Sequence, residues 1–302
     1  MLYADKLRHF VKFYIIKSQP SEKTIDFISF LYYNIRVNKN TFMEVFTMKL
    51  KVMTYNIAGG RDYSVEPWGH NHNPDACIDV IREIAPDICA LNEVDYELPR
   101  SKCVKLAKYI GDKLGYYSAF APAIAWAPGL YGNGFISRFP IVDAITIPVP
   151  DPADKSEPVY YETRCILRAT IDVGGRYIDV FVTHFGLAKT ERANSIKLLL
   201  SFIKAAKNPV ILMGDFNVQP DNPEMEPLMS AMQNTGDVLP AGTYSFPSHG
   251  GFLEKQRDGS YKPYPKLLID YIMTTPEFTA SEQTVHEVRA SDHKPYSTVL
   301  NF

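Results

Sequence analysis

The segment TRCILRATIDVGGRYIDVFVTHF, residues 163–185, contains the clearest β-hairpin signal in the chain. Two strand-like runs, Thr163 to Val173 and Tyr177 to Phe185, flank Gly174-Gly175, a dipeptide that tolerates positive φ at both positions of a tight turn. In the first run apolar residues recur at alternate positions from Cys165 to Ile171, which is typical of a half-buried strand. Because a two-residue turn joins antiparallel strands, this segment predicts an antiparallel pair.

Helix-like and strand-like patterns alternate along the chain on both sides of this hairpin. Four helices are predicted, from Pro74 to the stop at Pro86, from Pro99 to Leu114, over 190–207 and near 224–233. Further strands are predicted over 49–57, 87–94, 116–123, 134–137, 142–149, 209–213, 266–273 and 297–302. Since strands dominate and a hairpin is present, the pattern favours an α+β fold with mixed or largely antiparallel sheets over a doubly wound parallel sheet.

The composition is that of a globular chain without a strong charge bias. Its 302 residues are 46% hydrophobic and can bury a sizeable core. The 32 Lys and Arg residues face 34 Asp and Glu residues, and the pI is about 6.4. This balance excludes a global positive field that would attract nucleic acid or anionic lipid, and leaves a local basic groove open.

Several features predict a cytoplasmic protein with reduced thiols. No apolar stretch approaches the roughly 20 residues of a membrane helix, because Lys17, Asp26 and Arg36 interrupt the apolar N-terminal segments. That end also lacks an apolar run followed by a small-residue cleavage site. The four cysteines have neither C-x-x-C spacing nor the density of a disulfide scaffold, so we expect reduced, buried thiols.

Residues 1–47 differ from the rest of the chain, and they carry no motif that continues beyond Met48. The first regular strand pattern begins at Lys49, so Met48 is a natural start for the compact domain. We therefore expect two parts, an N-terminal extension of unknown role over 1–47 and a compact domain over 48–302. The extension is either an appended amphipathic element or the result of a start codon assigned too early, and the sequence leaves both open.

Acids, amides and histidines stand where the predicted strands end or begin. They are Asn56, Glu93, His184, Asp215, Asn217, Asp270, Asp292 and His293. Each has an ordinary alternative when taken alone, as a turn residue, a solvent-exposed acid or a hydrogen-bonded strand histidine. Asp270 is the hardest to explain in that way. A carboxylate inside the apolar run from Leu267 to Ile272 is costly to bury without a histidine or a cation beside it.

Together these side chains predict a site for metal-assisted chemistry on phosphate esters. Strands that lie side by side would bring their terminal polar groups to one edge of the fold. Carboxylate and amide oxygens are ligands of hard cations such as Mg²⁺, Mn²⁺ or Ca²⁺, whereas Zn²⁺ prefers more His or Cys. A histidine oriented by a buried carboxylate supplies a charged donor for a phosphate oxygen, which suits metal-assisted cleavage.

Seven short motifs give this set a recognisable order. They are TYNI at 54–57, LNEV at 91–94, GNGFISRFP at 132–140, THF at 183–185, GDFN at 214–217, IDYI at 269–272 and SDH at 291–293. The set resembles the endonuclease/exonuclease/phosphatase superfamily of DNase I-like, metal-dependent phosphohydrolases. The resemblance implies a four-layer α/β/β/α sandwich, in which two mixed, largely antiparallel sheets pack face to face with helices outside. It also implies that residues 48–302 form a catalytic domain.

The resemblance implies a metal centre and the ion that fills it. Glu93 matches the principal metal-ligating carboxylate of the superfamily. Asn56 and Asp292 match further ligands or ligand-positioning groups. The implied cofactor is Mg²⁺, with Mn²⁺ able to replace it.

The resemblance also implies roles for the remaining polar residues. Asp215 matches the acid that orients or deprotonates the attacking water, and Asn217 matches the amide that holds the phosphate and that water. His293 matches the histidine that stabilises the phosphate charge, with Asp270 as its orienting partner. His184 matches a second histidine of the DNase I and sphingomyelinase branches, which implies a general-acid or phosphate-binding role.

Arg164 occupies a place where many small bacterial members have an arginine near the site. The resemblance therefore implies that it binds substrate phosphate together with Asn217, His184 and His293. Its ordinary alternative is a solvated strand residue.

The substrate depends on loops that the motifs do not reach. These are predicted over 61–73, 121–133, 149–162 and 245–266, and they carry aromatic residues but no cluster of Lys and Arg. The aromatic residues can stack on a substrate or hold the loops together. We expect a phosphodiesterase acting on a small or lipid-like ester, with a DNA or RNA nuclease as the alternative and a catalytically silent binding protein as a third. The oligomeric state, the number of metal ions and the choice between diester and monoester stay open.

Overall fold

The computed structural model describes residues 48–250, 253–255 and 259–302. The predicted N-terminal extension, 1–47, lies outside the described residues, so the boundary at Met48 stays a prediction. Twelve strands of the described part form two six-stranded sheets. In chain order they are β1 (Lys49–Asn56), β2 (Ile88–Tyr96), β3 (Tyr117–Trp126), β4 (Gly129–Ser137), β5 (Ile141–Pro148), β6 (Cys165–Val173), β7 (Arg176–His184), β8 (Val210–Asp215), β9 (Gln233–Asn234), β10 (Asp270–Thr274), β11 (Thr279–Val285) and β12 (Tyr296–Asn301).

The two sheets have the same pattern of strand directions. The first has the order β11-β12-β1-β2-β4-β3, and the second has the order β9-β10-β8-β7-β6-β5. Only the central pairs, β1 with β2 and β7 with β8, are parallel, and all other neighbours in the two sheets are antiparallel. The predicted hairpin is β6 and β7, paired from Ile166 with Thr183 to Val173 with Arg176. This confirms mixed, largely antiparallel sheets.

Four α-helices of the described residues cover the outer faces of the sheets. They are α1 (Pro74–Ile84), α2 (Leu106–Leu114), α3 (Lys189–Ala205) and α4 (Glu226–Ala231). Pro74 stands in the first turn of α1, where its missing N–H costs no hydrogen bond. Ala85 and Gly115, in the left-handed conformation, end α1 and α2.

Three apolar clusters separate four layers. The first lies between the two sheets and includes Val52, Phe135 and Val180. A second joins α1 and α2 to the first sheet, and a third joins α3 and α4 to the second sheet. Burial of these faces is the main favourable term of folding. The order helix, sheet, sheet, helix confirms the predicted α/β/β/α sandwich.

Three predicted boundaries were wrong. The helix predicted from Pro99 begins at Leu106, because Pro99–Ser101 forms a 3₁₀ turn and Lys102 and Cys103 adopt φ values of 56° and 58°, which no α-helix accepts. The loop predicted over 121–133 is the end of the β3–β4 hairpin. The strand predicted from Lys266 begins at Asp270.

One strand of the first sheet was not predicted from the sequence. Strand β11 escaped prediction because it is a polar edge strand, paired on one side only and half-exposed along its length.

All four thiols are free, and Cys77, Cys89 and Cys165 are buried as expected, whereas Cys103 is exposed. Among the described residues, no helix combines the length and the apolar character that crossing a membrane requires.

The strand directions bring the predicted site residues to one edge of the sandwich. Strands β1, β2, β7 and β8 end at this edge, whereas β6, β10 and β12 begin there. Gly214 allows β7 and β8 to approach next to the site, because its φ is 145° and an added Cβ would lie 1.8 Å from the Thr183 carbonyl oxygen. The edge therefore collects the ends of strands from both sheets.

Candidate active site

Asp215 lies at the centre of the site, at the end of β8, and is 1% exposed. Its Oδ2 atom lies 3.5 Å from Nε2 of His184 and 3.5 Å from Nε2 of His293. Asn56 donates from Nδ2 to the same oxygen at 3.1 Å. Side chains from both sheets and from the loop before β12 therefore meet around one buried carboxylate.

Glu93 reaches the site through a β-bulge in β2. The pairing of β2 with β4 shifts register between Leu91 and Val94, and Glu93 has a φ of 56°, which is uncommon for a residue other than glycine. Its Oε1 accepts a hydrogen bond from Asn56 Nδ2 at 3.1 Å, and its Oε2 lies 3.8 Å from Nη2 of Arg61. Such a backbone conformation costs about 1–3 kcal/mol and is concentrated at functional sites.

Asn56 acts as a hydrogen-bond donor to two acids. Its Oδ1 accepts from the backbone N–H of Ala58 at 3.0 Å, so its NH₂ group faces Glu93 and Asp215. This orientation favours a positioning role for Asn56 over the role of metal ligand.

Glu93 and Asp292 are two acids of the site that could hold a divalent cation. Burial raises the pKa of Glu93, and the negative charge of Asp292 raises it further. Two acids that repel each other gain from a cation that both can bind, and carboxylate oxygens suit Mg²⁺ or Mn²⁺. Asp292 also accepts a hydrogen bond from Ser291 Oγ at 3.1 Å.

His293 and Asp270 form a buried pair. His293 Nδ1 lies 2.8 Å from Asp270 Oδ2, as the sequence predicted. Burial alone lowers the pKa of His293, but the charges of Asp270 and Asp215 outweigh burial and raise this pKa to about 10. Burial raises the pKa of Asp215 to about 7, although the charge of His293 opposes that rise. Near neutral pH the imidazole is therefore a cation whose Nε2 faces Asp215.

A second group of donor atoms lies close together at the same place. Among the described residues, one donor atom each from Asp215, Asp270 and His293 falls within 4.8 Å of the others. A histidine that binds a metal must be neutral, whereas the ring of His293 is protonated and its Nδ1 already pairs with Asp270. Glu93 and Asp292 are therefore the better pair for a cation.

His184 is held as a neutral imidazole by Arg164. The guanidinium Nη1 of Arg164 lies 3.1 Å from Nδ1 of His184 and 2.6 Å from Oε1 of Glu162. Because a guanidinium can only donate, Nδ1 must accept, which leaves the ring hydrogen on Nε2. Burial and the charge of Arg164 both lower the pKa of His184. Arg164 is 8% exposed, so it is not the solvated strand residue that was its ordinary alternative.

Asn217 completes the set from the turn after β8. Its Nδ2 donates to the carbonyl oxygen of Phe185 at 2.9 Å, and its backbone N–H donates to Asp215 Oδ1 at 2.9 Å. Its φ of 51° is in the left-handed region, which asparagine tolerates better than most residues. The turn thus places this amide beside the central carboxylate.

Comparison with known families now identifies the chain. Residues 53–293 match the model of the Endonuclease/Exonuclease/phosphatase family. The chain belongs to this family. The match covers all nine predicted site residues, from Asn56 to His293.

Solved structures of similar proteins have the same fold. The solved mannosyl-6-phosphatase of Bacteroides thetaiotaomicron has a TM-score of 0.65 and 19% identity, over 84% of this chain and 100% of that one. The human Nocturnin catalytic domain has a TM-score of 0.58 and 19% identity, over 83% of this chain and 94% of that one. At these identities the similarity shows the shared fold.

A curated relative is much longer than this chain. Protein cwh43 of Schizosaccharomyces pombe is 23% identical over 224 residues, which represent 72% of this chain and 22% of that protein. The chain thus spans about a fifth of the length of this relative.

Two asparagines of the family motifs support the site without having been assigned a role. Asn92 Oδ1 accepts from the backbone N–H of Asp215 at 2.9 Å, and its Nδ2 donates to Asn133 Oδ1 and to the Thr183 carbonyl oxygen, each at 2.9 Å. Asn133 in turn donates to the carbonyl oxygen of Cys165 at 2.9 Å. A fully buried amide inside an apolar strand needs such partners, and that was the signal by which the sequence could have identified them.

An aromatic wall beside Glu93 is formed by Trp126 and Tyr131, two aromatic residues of the loop predicted over 121–133. Trp126 and Tyr131 stack with ring centroids 5.3 Å apart, and the Arg100 guanidinium lies 4.9 Å from the Trp126 centroid. Arg100 is held by two hydrogen bonds to the buried Asp95, at 2.7 and 2.9 Å. Tyr131 pairs with Asp95, two residues after Glu93, so this wall lies next to the acidic site. Burial raises the pKa of Tyr131, and the charge of Glu93 raises it further.

Proposed function

We propose that the chain is a divalent-metal-dependent phosphodiesterase that acts on a small or lipid-like phosphate ester. The observation that carries this proposal is the contact of Asp215 with two histidines at 3.5 Å, beside the acidic pair Glu93 and Asp292. A base, two N–H donors and a cation-binding pair around one position are the components that hydrolysis of a phosphate ester requires.

In this proposal Asp215 is the base. A pKa near 7 suits a group that must be ionised at rest and accept a proton in the reaction. Asp215 takes a proton from water as the water oxygen forms a bond to phosphorus, the bond from phosphorus to the leaving oxygen breaks, and solvent protonates the leaving oxygen. Asn217, next to Asp215 in the same turn, holds the water and the phosphate.

The two histidines have different roles because their charges differ. His293, kept cationic by Asp270, neutralises charge that develops on the phosphate. His184 is a neutral Nε2–H donor to a phosphate oxygen, and Arg164 holds it in that tautomer. We therefore propose that Arg164 is a positioning residue, with no direct contact to the phosphate.

Mg²⁺ held by Glu93 and Asp292, or Mn²⁺ in its place, would supply positive charge to polarise the phosphate. Asn56 would then position both Glu93 and Asp215, to which it donates at 3.1 Å each.

The charge distribution supports a small or lipid-like ester over long nucleic acid. Arg61 and Arg100 face acids at 3.8 and 2.7 Å, and Arg164 faces Glu162, so the arginines nearest the site are paired. A protein that neutralises many backbone phosphates needs several cations free for that task. A nuclease is the second candidate, because the family match alone does not distinguish the two. The four free thiols fit a reducing compartment, and we propose a cytoplasmic location.

The test is hydrolysis of bis-p-nitrophenyl phosphate with Mg²⁺ or Mn²⁺, with and without a chelator. We expect metal-dependent release of nitrophenol that Asp215→Asn slows by about 10²- to 10⁴-fold. A parent chain that is folded but inert on this ester and on a panel of phospholipids, inositol phosphates and nucleic acids would instead indicate a silent binding protein. Efficient cleavage of DNA or RNA whose rate falls steeply from low to physiological salt would favour the nuclease.

A further inference from the structure

Exposed apolar side chains are concentrated at the edge of the sandwich that carries the site. Eleven large apolar or aromatic side chains are exposed in the described part of the chain. Eight of them lie in the segments around the site. We call these eight the apolar rim: Val65, Trp126, Val159, Tyr160, Leu187, Leu253, Tyr261 and Tyr264. The other three are Val142 and Tyr177 in strands and Val238 in a 3₁₀ turn.

The topology explains why these segments share one edge. Val65 lies in the segment after β1, and Leu187 lies in the segment after β7. Both of these strands end at the site. Tyr160 lies in the segment before β6. The two-stranded ribbon of Leu253–Lys255 and Tyr261–Pro263 lies before β10. Strands β6 and β10 both begin at the site. Trp126 closes the β3–β4 hairpin, next to the end of β2. The segments that carry the apolar rim thus lie at the edge of the sandwich that holds the catalytic groups.

The chemistry of the apolar rim is that of a surface for a lipid–water interface. Residues 261–266, Tyr-Lys-Pro-Tyr-Pro-Lys, are six consecutive exposed residues in which two tyrosines alternate with two lysines. Tyrosine and tryptophan have an apolar body and a polar tip, and lysine extends an apolar stem toward a charged end, so all three favour the headgroup region of a bilayer. Scattered exposed apolar residues are normal, but a set concentrated around one site marks an interaction surface.

We propose that the apolar rim docks this protein on a lipid bilayer, with the site facing the headgroups. A bilayer fits better than a protein partner, because a protein seated on the segments at the edge that carries the site would obstruct the substrate's entrance. A bilayer would instead supply the substrate through the same face. The docking does not depend on hydrolysis, but the inference that the substrate is a phosphate-ester lipid rests on the proposed function.

The test compares the full chain with two variants in co-sedimentation with phosphatidylcholine vesicles, with and without added phosphatidylserine. The rim variant is Y160S/Y261S, whose tyrosines are 67% and 59% exposed. The control is Y177S, a tyrosine that is 49% exposed beside the Gly174-Gly175 turn at the opposite edge. We expect the parent and the control to bind alike, and the rim variant to bind at least about tenfold more weakly, which is about 1.4 kcal/mol. Melting temperatures of all three proteins check that they are folded.

Three results would overturn the docking proposal. The first is a parent chain that does not bind vesicles of either composition. The second is a rim variant that binds as well as the parent, and the third is a control that loses as much binding as the rim variant. Hydrolysis of bis-p-nitrophenyl phosphate by the parent is measured separately. Docking without hydrolysis would count against the proposed function alone, and hydrolysis without docking would count against this proposal alone.

Discussion

Replacing Asp215 by asparagine should remove activity and stabilise the protein at the same time. Asp215→Asn keeps the size of the side chain and one of its two acceptor oxygens but removes the proposed base. General-base catalysis contributes about 10²- to 10⁴-fold, so kcat on a soluble diester should fall by that factor. The substitution also removes a carboxylate that is 1% exposed and must be ionised in a buried site.

The pKa of Asp215 sets the size of the gain in stability. Burial raises it from an ordinary 3.8 to about 7. Because the folded pKa is above the unfolded one, the parent loses stability as pH rises through the window between these values, and the loss is complete above pH 7. The loss amounts to about 4 kcal/mol at pH 8, of which roughly 2–3 kcal/mol is lost between pH 5 and pH 8. The asparagine variant avoids it, so at pH 8 its melting temperature should be about 10 °C higher than that of the parent.

The assay is thermal unfolding of both proteins at pH 5 and pH 8 in a chelator, so that bound metal does not contribute. Asp179→Asn is the matched control. Asp179 is 2% exposed, but it accepts from Thr170 Oγ1 at 2.6 Å and pairs with Arg168 at 3.2 Å, so its loss should destabilise the protein. An Asp215→Asn variant that is less stable than the parent at pH 8, or whose advantage does not grow from pH 5 to pH 8, would refute the reasoning.

Three further predictions concern the metal pair, the histidine pair and the N-terminal boundary. Glu93→Gln should weaken Mg²⁺ binding in calorimetric titration and remove most activity at limiting metal, with little change in melting temperature. The control Glu97→Gln, which replaces a nearby exposed acid, should change neither Mg²⁺ binding nor activity. Asp270→Asn should lower activity by orders of magnitude and move the alkaline limb of the pH profile to lower pH, since the imidazolium of His293 loses the charge that keeps its pKa high; a parental profile would contradict the pairing. A chain that begins at Met48 should keep its melting temperature and its rate on a soluble diester, and an insoluble or less heat-stable product would show that 1–47 packs on the domain.

The sequence by itself was enough to predict the layer architecture and to nominate the residues proposed for the site. Periodicity predicted the β6–β7 hairpin and mixed, largely antiparallel sheets, and the family resemblance carried by the seven motifs implied the four-layer sandwich. The pairing of Asp270 with His293 could also be predicted, since an acid in an apolar strand requires a partner. These inferences depend on local composition, which the chain carries before it folds.

The tertiary structure alone decided how each site residue is oriented and charged. That Asn56 donates to two acids follows from a hydrogen bond to Ala58 that no spacing predicts. The neutral state of His184 and the positioning role of Arg164 require a contact between Nη1 and Nδ1 at 3.1 Å. The bulge at Glu93 and the concentration of exposed side chains in the apolar rim depend on pairing register and on burial. The orientation and charge of these side chains depend on neighbours that are distant in sequence, so both are set only once the two sheets have packed together.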